Sequence, residues 1–287
     1  MSSFKDIQFG AELREKQFSH HNSDVIRLNN GSFGSAPKDV LDVKHVHLSS
    51  LLGNPDDFWH ALDTKFKECS RAVAEGLLLD VSQAPNVCVV DNLTVAMSVI
   101  TSSIIATERQ TNSVVLVTSL TYNAVKLAVQ HACDCSDGNV TMEVVNIPFP
   151  LFGDDVDDVV LVAYEQKLQQ LRGSGKRLAL CIIDHISSLP CMRMPVEALV
   201  NMCRTTGGAA EIVVDGAHAP GNIDLSIVPT TLGADYYVGN VHKWCFAPQS
   251  AAMLWVSPSA PSRAQLHHPV VSHRFGEGIQ GRLGRNI

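Results

Sequence analysis

The chain has 287 residues, enough for one large or two modest domains with a sizeable core. Apolar residues make up 45% and charged residues 18%, the balance of an ordinary soluble globular protein. A net charge of −7 argues against nucleic acid or an anionic membrane as the partner.

The first residues, MSSFKDIQFGAELREK, contain no apolar h-region and no small-residue cleavage site, and acids stand among the bases. Neither a secretory signal nor an organellar transit peptide is expected there. No stretch approaches the roughly 20 apolar residues of a membrane span. The cytosol, or the nucleus, is the expected compartment. From residue 86 onward, short β-branched runs alternate with helical stretches. Strands are predicted at 86–90 (NVCVV), 113–118 (SVVLVT) and 140–145, with helices at 94–105 and 122–131 between them. A Pro/Gly/Asp loop, IPFPLFGDD, precedes a helical spacing over 157–171. Further strands are predicted at 177–184 (RLALCIID), 211–215 (EIVVD), 235–238 and 251–256 (AAMLWV), with a helix over 195–204 that opens on proline. Apolar strands alternating with helices imply an α/β fold with a mostly parallel sheet covered by helices. Ligands of such sheets bind at the carboxyl ends of the strands.

Polar residues collect at those ends. After NVCVV comes Asp91-Asn92-Leu93-Thr94, where Thr94 either serves as an ordinary helix cap or helps present backbone N–H groups to a phosphate. After SVVLVT comes Tyr122, which either stacks on a planar ring or packs the helix entry. The run RLALCII leads into Asp184-His185-Ile186-Ser187-Ser188, and EIVV into Asp215-Gly216-Ala217-His218. An acid ending a buried strand costs desolvation energy unless it is paired. Lys243, in GNVHKW, has apolar and aromatic neighbours that disfavour its protonated form and so make the amine a useful nucleophile. A Schiff-base lysine, an acid for a ring nitrogen and a phosphate anchor together describe pyridoxal 5′-phosphate. Eight scattered cysteines and twelve histidines, including His20-His21, His45/His47 and His267-His268, form no H-E-x-x-H or C-x-x-C frame. Reduced thiols and no metal site are expected.

Several stretches carry a resemblance. VVDGAHAPG (213–221) and LGADYYVGNVHKW (232–244) resemble the class V aminotransferase family of fold-type I pyridoxal-phosphate enzymes. RLNNGSFGSAP (27–37) and TYNAV (121–125) are similar to its isopenicillin-N-epimerase-like branch. The segments 182–204 and HHPVVSHRFG (267–276) look most like plant-type L-cysteine desulfhydrases. The resemblance implies the large domain of that fold, with a mostly parallel, seven-stranded mixed sheet covered by helices. It implies Lys243 as Schiff-base lysine and proton shuttle, Asp215 at the pyridine nitrogen and His218 at the phenolic oxygen. Tyr122 takes the stacking place; Thr94, Asn240 and His242 hold phosphate; His185 and Ser187 lie near the ring. Asn30, Gly31 and Ser32 correspond to a substrate-side segment.

The mobile loop with a nucleophilic cysteine found in cysteine desulfurases has no equivalent here, which points to β-elimination rather than persulfide chemistry. The expected reaction is C–S lysis of L-cysteine to sulfide, pyruvate and ammonia. An epimerase or a cysteine-sulfoxide lyase acting on a larger substrate is the alternative, as is a catalytically inactive domain. The expected division is an N-terminal extension at 1–24, a cofactor-binding large domain at 25–260, and at 261–287 the start of a linker to a small domain. Family members continue into that small domain, which carries the carboxylate-binding arginine, so a shortened product is expected, with Arg274, Arg282 and Arg285 near its end. A small amino acid is the expected partner, with a homodimer implied by the family.

Overall fold

Aliphatic and β-branched runs at regular spacing become the strands of one sheet. The computed structural model describes residues 7–108, 110–151, 153, 155–263 and 266. The segment 267–276, and with it Arg274, Arg282 and Arg285, lies outside the described residues.

The chain opens with α1 (Ala11–Gln17), the single turn α2 (Asn30–Phe33), α3 (Lys38–Gly53) and α4 (Pro55–Gly76). The alternating part follows: β1 (Val87–Val90), α5 (Leu93–Thr107), β2 (Ser113–Thr118), α6 (Asn123–Asp134), β3 (Val140–Val145), α7 (Val156–Gly173), β4 (Arg177–Asp184) and α8 (Val196–Thr205). It ends with β5 (Glu211–Asp215), β6 (Tyr236–Asn240), the short α9 (Val241–Trp244) and β7 (Ala252–Val256).

The strands lie in the order β1-β7-β6-β5-β4-β2-β3. The pairs β2–β3, β2–β4, β4–β5 and β5–β6 are parallel, and β7 runs antiparallel to both β1 and β6. This is the expected seven-stranded, mostly parallel mixed sheet. Apart from Arg177 at the start of β4, the residues of its central strands β2, β4 and β5 are all buried, which explains their long apolar runs.

Alternate residues feed two apolar layers. Leu116, Ile183, Val214 and Tyr237 face one layer with α7 and α8 residues such as Tyr164 and Leu199. Val117, Ile182, Val213 and Val238 face the other with Ile100 of α5 and Val125 of α6. A register shift between Val114 and Val115 opposite β4 keeps both strands in phase with these layers.

The predicted strands and helices differ from these bounds by three residues or fewer at any end. The helices before residue 86 were not read from the sequence. α3 shows why: none of its residues is buried, so no apolar stripe of core-facing positions marks it. Among the described residues, no helix is long and apolar enough to cross a membrane, and no group of three or more His, Cys, Asp or Glu is placed to hold a metal ion.

Candidate active site

All strands but β7 share a direction, so their carboxyl ends lie along one edge of the sheet. A pocket of about 160 Å³ opens there, lined by Asn92, Leu93, Thr94, Tyr122, Asp184, Ile186, Ser188, Asp215, Ala217, His218, Asn240, His242 and Lys243, with Ser32 from the N-terminal segment. The sequence-predicted residues Ser32, Thr94, Tyr122, Asp215, His218, Asn240, His242 and Lys243 are thus brought together.

Lys243 sits on α9, directly after β6, and its Nζ lies 3.4 Å from His218 Nε2. Burial lowers the lysine's pKa from its ordinary value, while the charge of Asp215 works in the opposite direction. Burial and the nearby lysine push His218 down to about 4. His218 is therefore neutral, and its Nε2 accepts from the lysine amine.

Asp215, the last residue of β5, is only 2% exposed, and its Oδ1 accepts the Ala217 N–H at 3.0 Å. Burial, then the charge of Asp184, push its pKa up to about 7. The turn that follows is possible because Gly216 lies flat against Tyr237, whose ring would stand 2.5 Å from an added Cβ.

The start of α5 is held by two asparagines. Asn92 is its N-cap and accepts from Val95 N–H at 3.0 Å; Asn240 Oδ1 accepts from Leu93 N–H, also at 3.0 Å. Thr94 is therefore not the cap. Its amide and hydroxyl make no hydrogen bond to protein among the described residues, and Thr94 lines the pocket. The oxygen of Asn240 is committed to Leu93, so only its amide nitrogen is left to meet an anion. His242 uses Nδ1 to donate to the Ala251 carbonyl at 2.8 Å, which leaves Nε2. Tyr122 is 53% exposed, immediately before α6, at the mouth of the pocket.

Four expected residues, His185, Ser187, Asn30 and Gly31, do not line the pocket. The chain leaves β4 in an extended path, bridged between Ile186 and Arg193, so side chains alternate. Asp184, Ile186 and Ser188 face the pocket, while His185 and Ser187 do not line it. His185 is fully buried, with Nδ1 2.8 Å from the Tyr237 hydroxyl. Ser187 donates to the Pro190 carbonyl at 2.6 Å and so ties the loop. Asn30 and Gly31 likewise do not line the pocket. Asn30 Nδ2 donates to the Lys243 carbonyl at 2.9 Å, and Gly31 lies against the Trp244 ring. Asp184 and Ser188 were missed as lining residues, although period-two counting from the end of β4 selects them.

No family model matches the chain. It is 34% identical over 269 residues to an L-cysteine desulfhydrase of Arabidopsis thaliana, which covers 92% of this chain and 57% of that protein. It is 25% identical over 238 residues to isopenicillin N epimerase of Streptomyces clavuligerus, covering 82% of this chain and 54% of the epimerase. The chain therefore spans little more than half the length of these curated relatives. In structure it is similar to a C-DES mutant with glycine covalently linked to its pyridoxal-phosphate cofactor, with a TM-score of 0.67 and 19% identity, covering 85% of this chain and 59% of that one. The chain thus has the class V aminotransferase and cysteine-desulfurase-like pyridoxal-phosphate fold, and in sequence it is similar to plant L-cysteine desulfhydrases.

Proposed function

We propose that the complete protein binds pyridoxal 5′-phosphate in this pocket and is a C–S lyase that converts L-cysteine and water to hydrogen sulfide, pyruvate and ammonia. One observation carries the reading. A half-buried lysine amine, a neutral imidazole and a buried carboxyl meet in a single pocket at the carboxyl edge of the sheet. The likeness to plant L-cysteine desulfhydrases supports L-cysteine as the substrate.

The donor set suits the cofactor. The amide and hydroxyl of Thr94 stand at the N-terminus of a 15-residue helix, where anions are stabilised. His242 Nε2 completes the anion site, and a phosphate beside it favours the charged imidazole. Asp215 reaches the pocket from a buried strand end, where it can pair with a ring nitrogen, and Tyr122 offers its ring at the mouth. When bound, pyridoxal phosphate supplies an electrophilic carbonyl and a ring that acidifies the α-carbon of an amino acid.

The protein's own groups then have definite work. Lys243 Nζ is poised to attach the cofactor because burial weakens its hold on a proton. With substrate present, the same amine accepts the Cα proton, and the Cβ–sulfur bond breaks with its electrons leaving on sulfur. His218 Nε2 receives the amine's hydrogen bond and orients the Nζ lone pair. Residues 25–260 form the cofactor-binding domain in this reading.

The test is reconstitution with pyridoxal phosphate, followed by visible absorbance and by sulfide release from L-cysteine, for wild type and Lys243→Ala. The expected result is a lysine-linked absorbance and sulfide release, both lost in Lys243→Ala. Absence of lysine-dependent absorbance overturns the cofactor. Absorbance with turnover only of a larger cysteine derivative overturns L-cysteine as the substrate.

A further inference from the structure

Asp184 ends β4 as Asp215 ends β5, and the two are register partners in a parallel pair. Side chains at such positions point to the same side of the sheet, on strands about 4.8 Å apart. Both carboxyls line the pocket, and they are only 3% and 2% exposed. Two buried carboxyls this close do not both ionise readily, so they hold a proton in common.

The hydrogen bonds decide where that proton rests. Thr118 Oγ1 accepts the N–H groups of Leu120 and Thr121 at 3.1 and 3.0 Å. With both lone pairs used, its own hydrogen is directed to Thr121 Oγ1, 3.1 Å away, and to the Asp184 carboxyl. Thr121 Oγ1 also accepts the Thr118 N–H at 3.0 Å. Its one hydrogen is thus left for Asp184 Oδ2 at 2.9 Å. Asp184 thus accepts from both threonine hydroxyls and from its own backbone N–H, which together favour its charged form. Asp215 has a single backbone donor, the Ala217 N–H.

We propose that Asp184 is a positioning residue that keeps a proton on Asp215 in the ligand-free protein, so that Asp215 meets its ligand as an acid. On the reading given above, the Asp215 O–H bond then breaks as an N–H bond forms at the ring nitrogen. A pyridinium and a carboxylate remain, and no outside proton is needed.

The surrounding charges agree. Asp215 faces Lys243 from α9 and Tyr237 from β6, and His218 of its own loop lines the same pocket. Asp184 faces Lys126 from α6 and Tyr164 from α7. The phenols of Tyr164 and Tyr237 are held protonated and His218 is neutral, so the ionic neighbours are the two lysines, one on each side. Burial pushes Asp184 up to about 6, against the stabilising hydroxyls, and Asp215 higher, to about 7.

The test is carboxyl-carbon NMR of the ligand-free chain labelled in aspartate, with Asp215→Asn assigning the resonance. Asp215 in wild type is expected to titrate well above the ordinary range near 4. In Asp184→Asn its midpoint falls by about one unit or more. Thr121→Val, which takes away a donor to Asp184 and keeps its shape, moves the proton toward Asp184 and also lowers the Asp215 midpoint. That second variant carries the test if Asp184→Asn does not fold. An ordinary wild-type midpoint, or one unmoved by both variants, overturns the proposal. Titrating the same samples with pyridoxal phosphate separates the two readings. A midpoint that shifts in chains that do not bind the cofactor supports the carboxyl pair and removes the cofactor, whereas binding with an unmoved midpoint removes the pair.

Discussion

Lys243 reaches the pocket because small residues let other chain segments lie against its helix. Gly34 has φ of +69°, and a Cβ there would run into the His242 carbonyl and stand 3.1 Å from Lys243 Cα. Gly221, at φ of +84°, is pressed against the Trp244 carbonyl in the same way. The N-terminal segment and the turn after β5 thus clamp α9 from two directions, with Asn30 bonded to the Lys243 carbonyl. An alanine at 34 must adopt φ of 69° with ψ of 176°, a region kept essentially for glycine, costing on the order of 1–3 kcal/mol before any clash is counted. We expect Gly34→Ala to lower unfolding stability by about 2 kcal/mol or more and to weaken the lysine-linked cofactor absorbance. Gly53, which ends α3 with open space around its Cβ position, is the control. Gly53→Ala leaves stability unchanged or raises it by about 0.4–1 kcal/mol. Urea denaturation of the two variants checks both statements.

The elements differ in how openly the sequence announces them. Runs such as SVVLVT and RLALCIID are buried on both faces, so composition alone marks them and their bounds agree with the strands. The polar strand ends were legible for the same reason, since Asp215 and Lys243 interrupt apolar surroundings. Details one residue finer were not. Thr94 reads as a cap because threonine favours that place, yet Asn92 takes it once the chain leaves β1 two residues earlier. His185 and Ser187 look as suited to a ligand as Asp184 and Ser188, and only the direction of the last β4 side chain separates the sets. Asn240 could not be assigned to the start of α5, because that contact spans 147 residues. The two asparagines divide the labour there: Asn92 satisfies an orphan N–H, while Asn240 pins the helix to β6. We expect Asn92→Ala to cost about 1 kcal/mol in urea unfolding. Because the free amide of Thr94 shifts with the helix end, the same variant weakens pyridoxal-phosphate binding in an absorbance titration.

At the scale of the whole molecule, the pocket sets how stability depends on pH in the ligand-free protein. Asp215 has its pKa raised to about 7, against 3.8 for an exposed carboxyl. A raised carboxyl means that the folded state binds the proton more tightly than the unfolded chain. Its contribution is therefore full below about pH 4 and is lost as pH rises through about 7. His218 and His185 act in the opposite sense. Both are pushed down to about 4, so the unfolded chain binds their protons more tightly, and stability rises with pH between about 4 and 6.5. Carboxyls and imidazoles within one site thus offset each other across the same window, and removing a member of either set uncovers the other. Asp215→Asn deletes a falling contribution, so its stability relative to wild type climbs between pH 4 and 7 by on the order of a few kcal/mol, then levels. His218→Gln deletes a rising one, and its relative stability climbs as pH falls below 6.5. Urea unfolding of wild type and both variants at several pH values from 4 to 8 checks this. Variant curves that run parallel to wild type show that the buried groups do not titrate across folding, whereas curves that diverge in opposite directions identify the site as the source of the pH dependence.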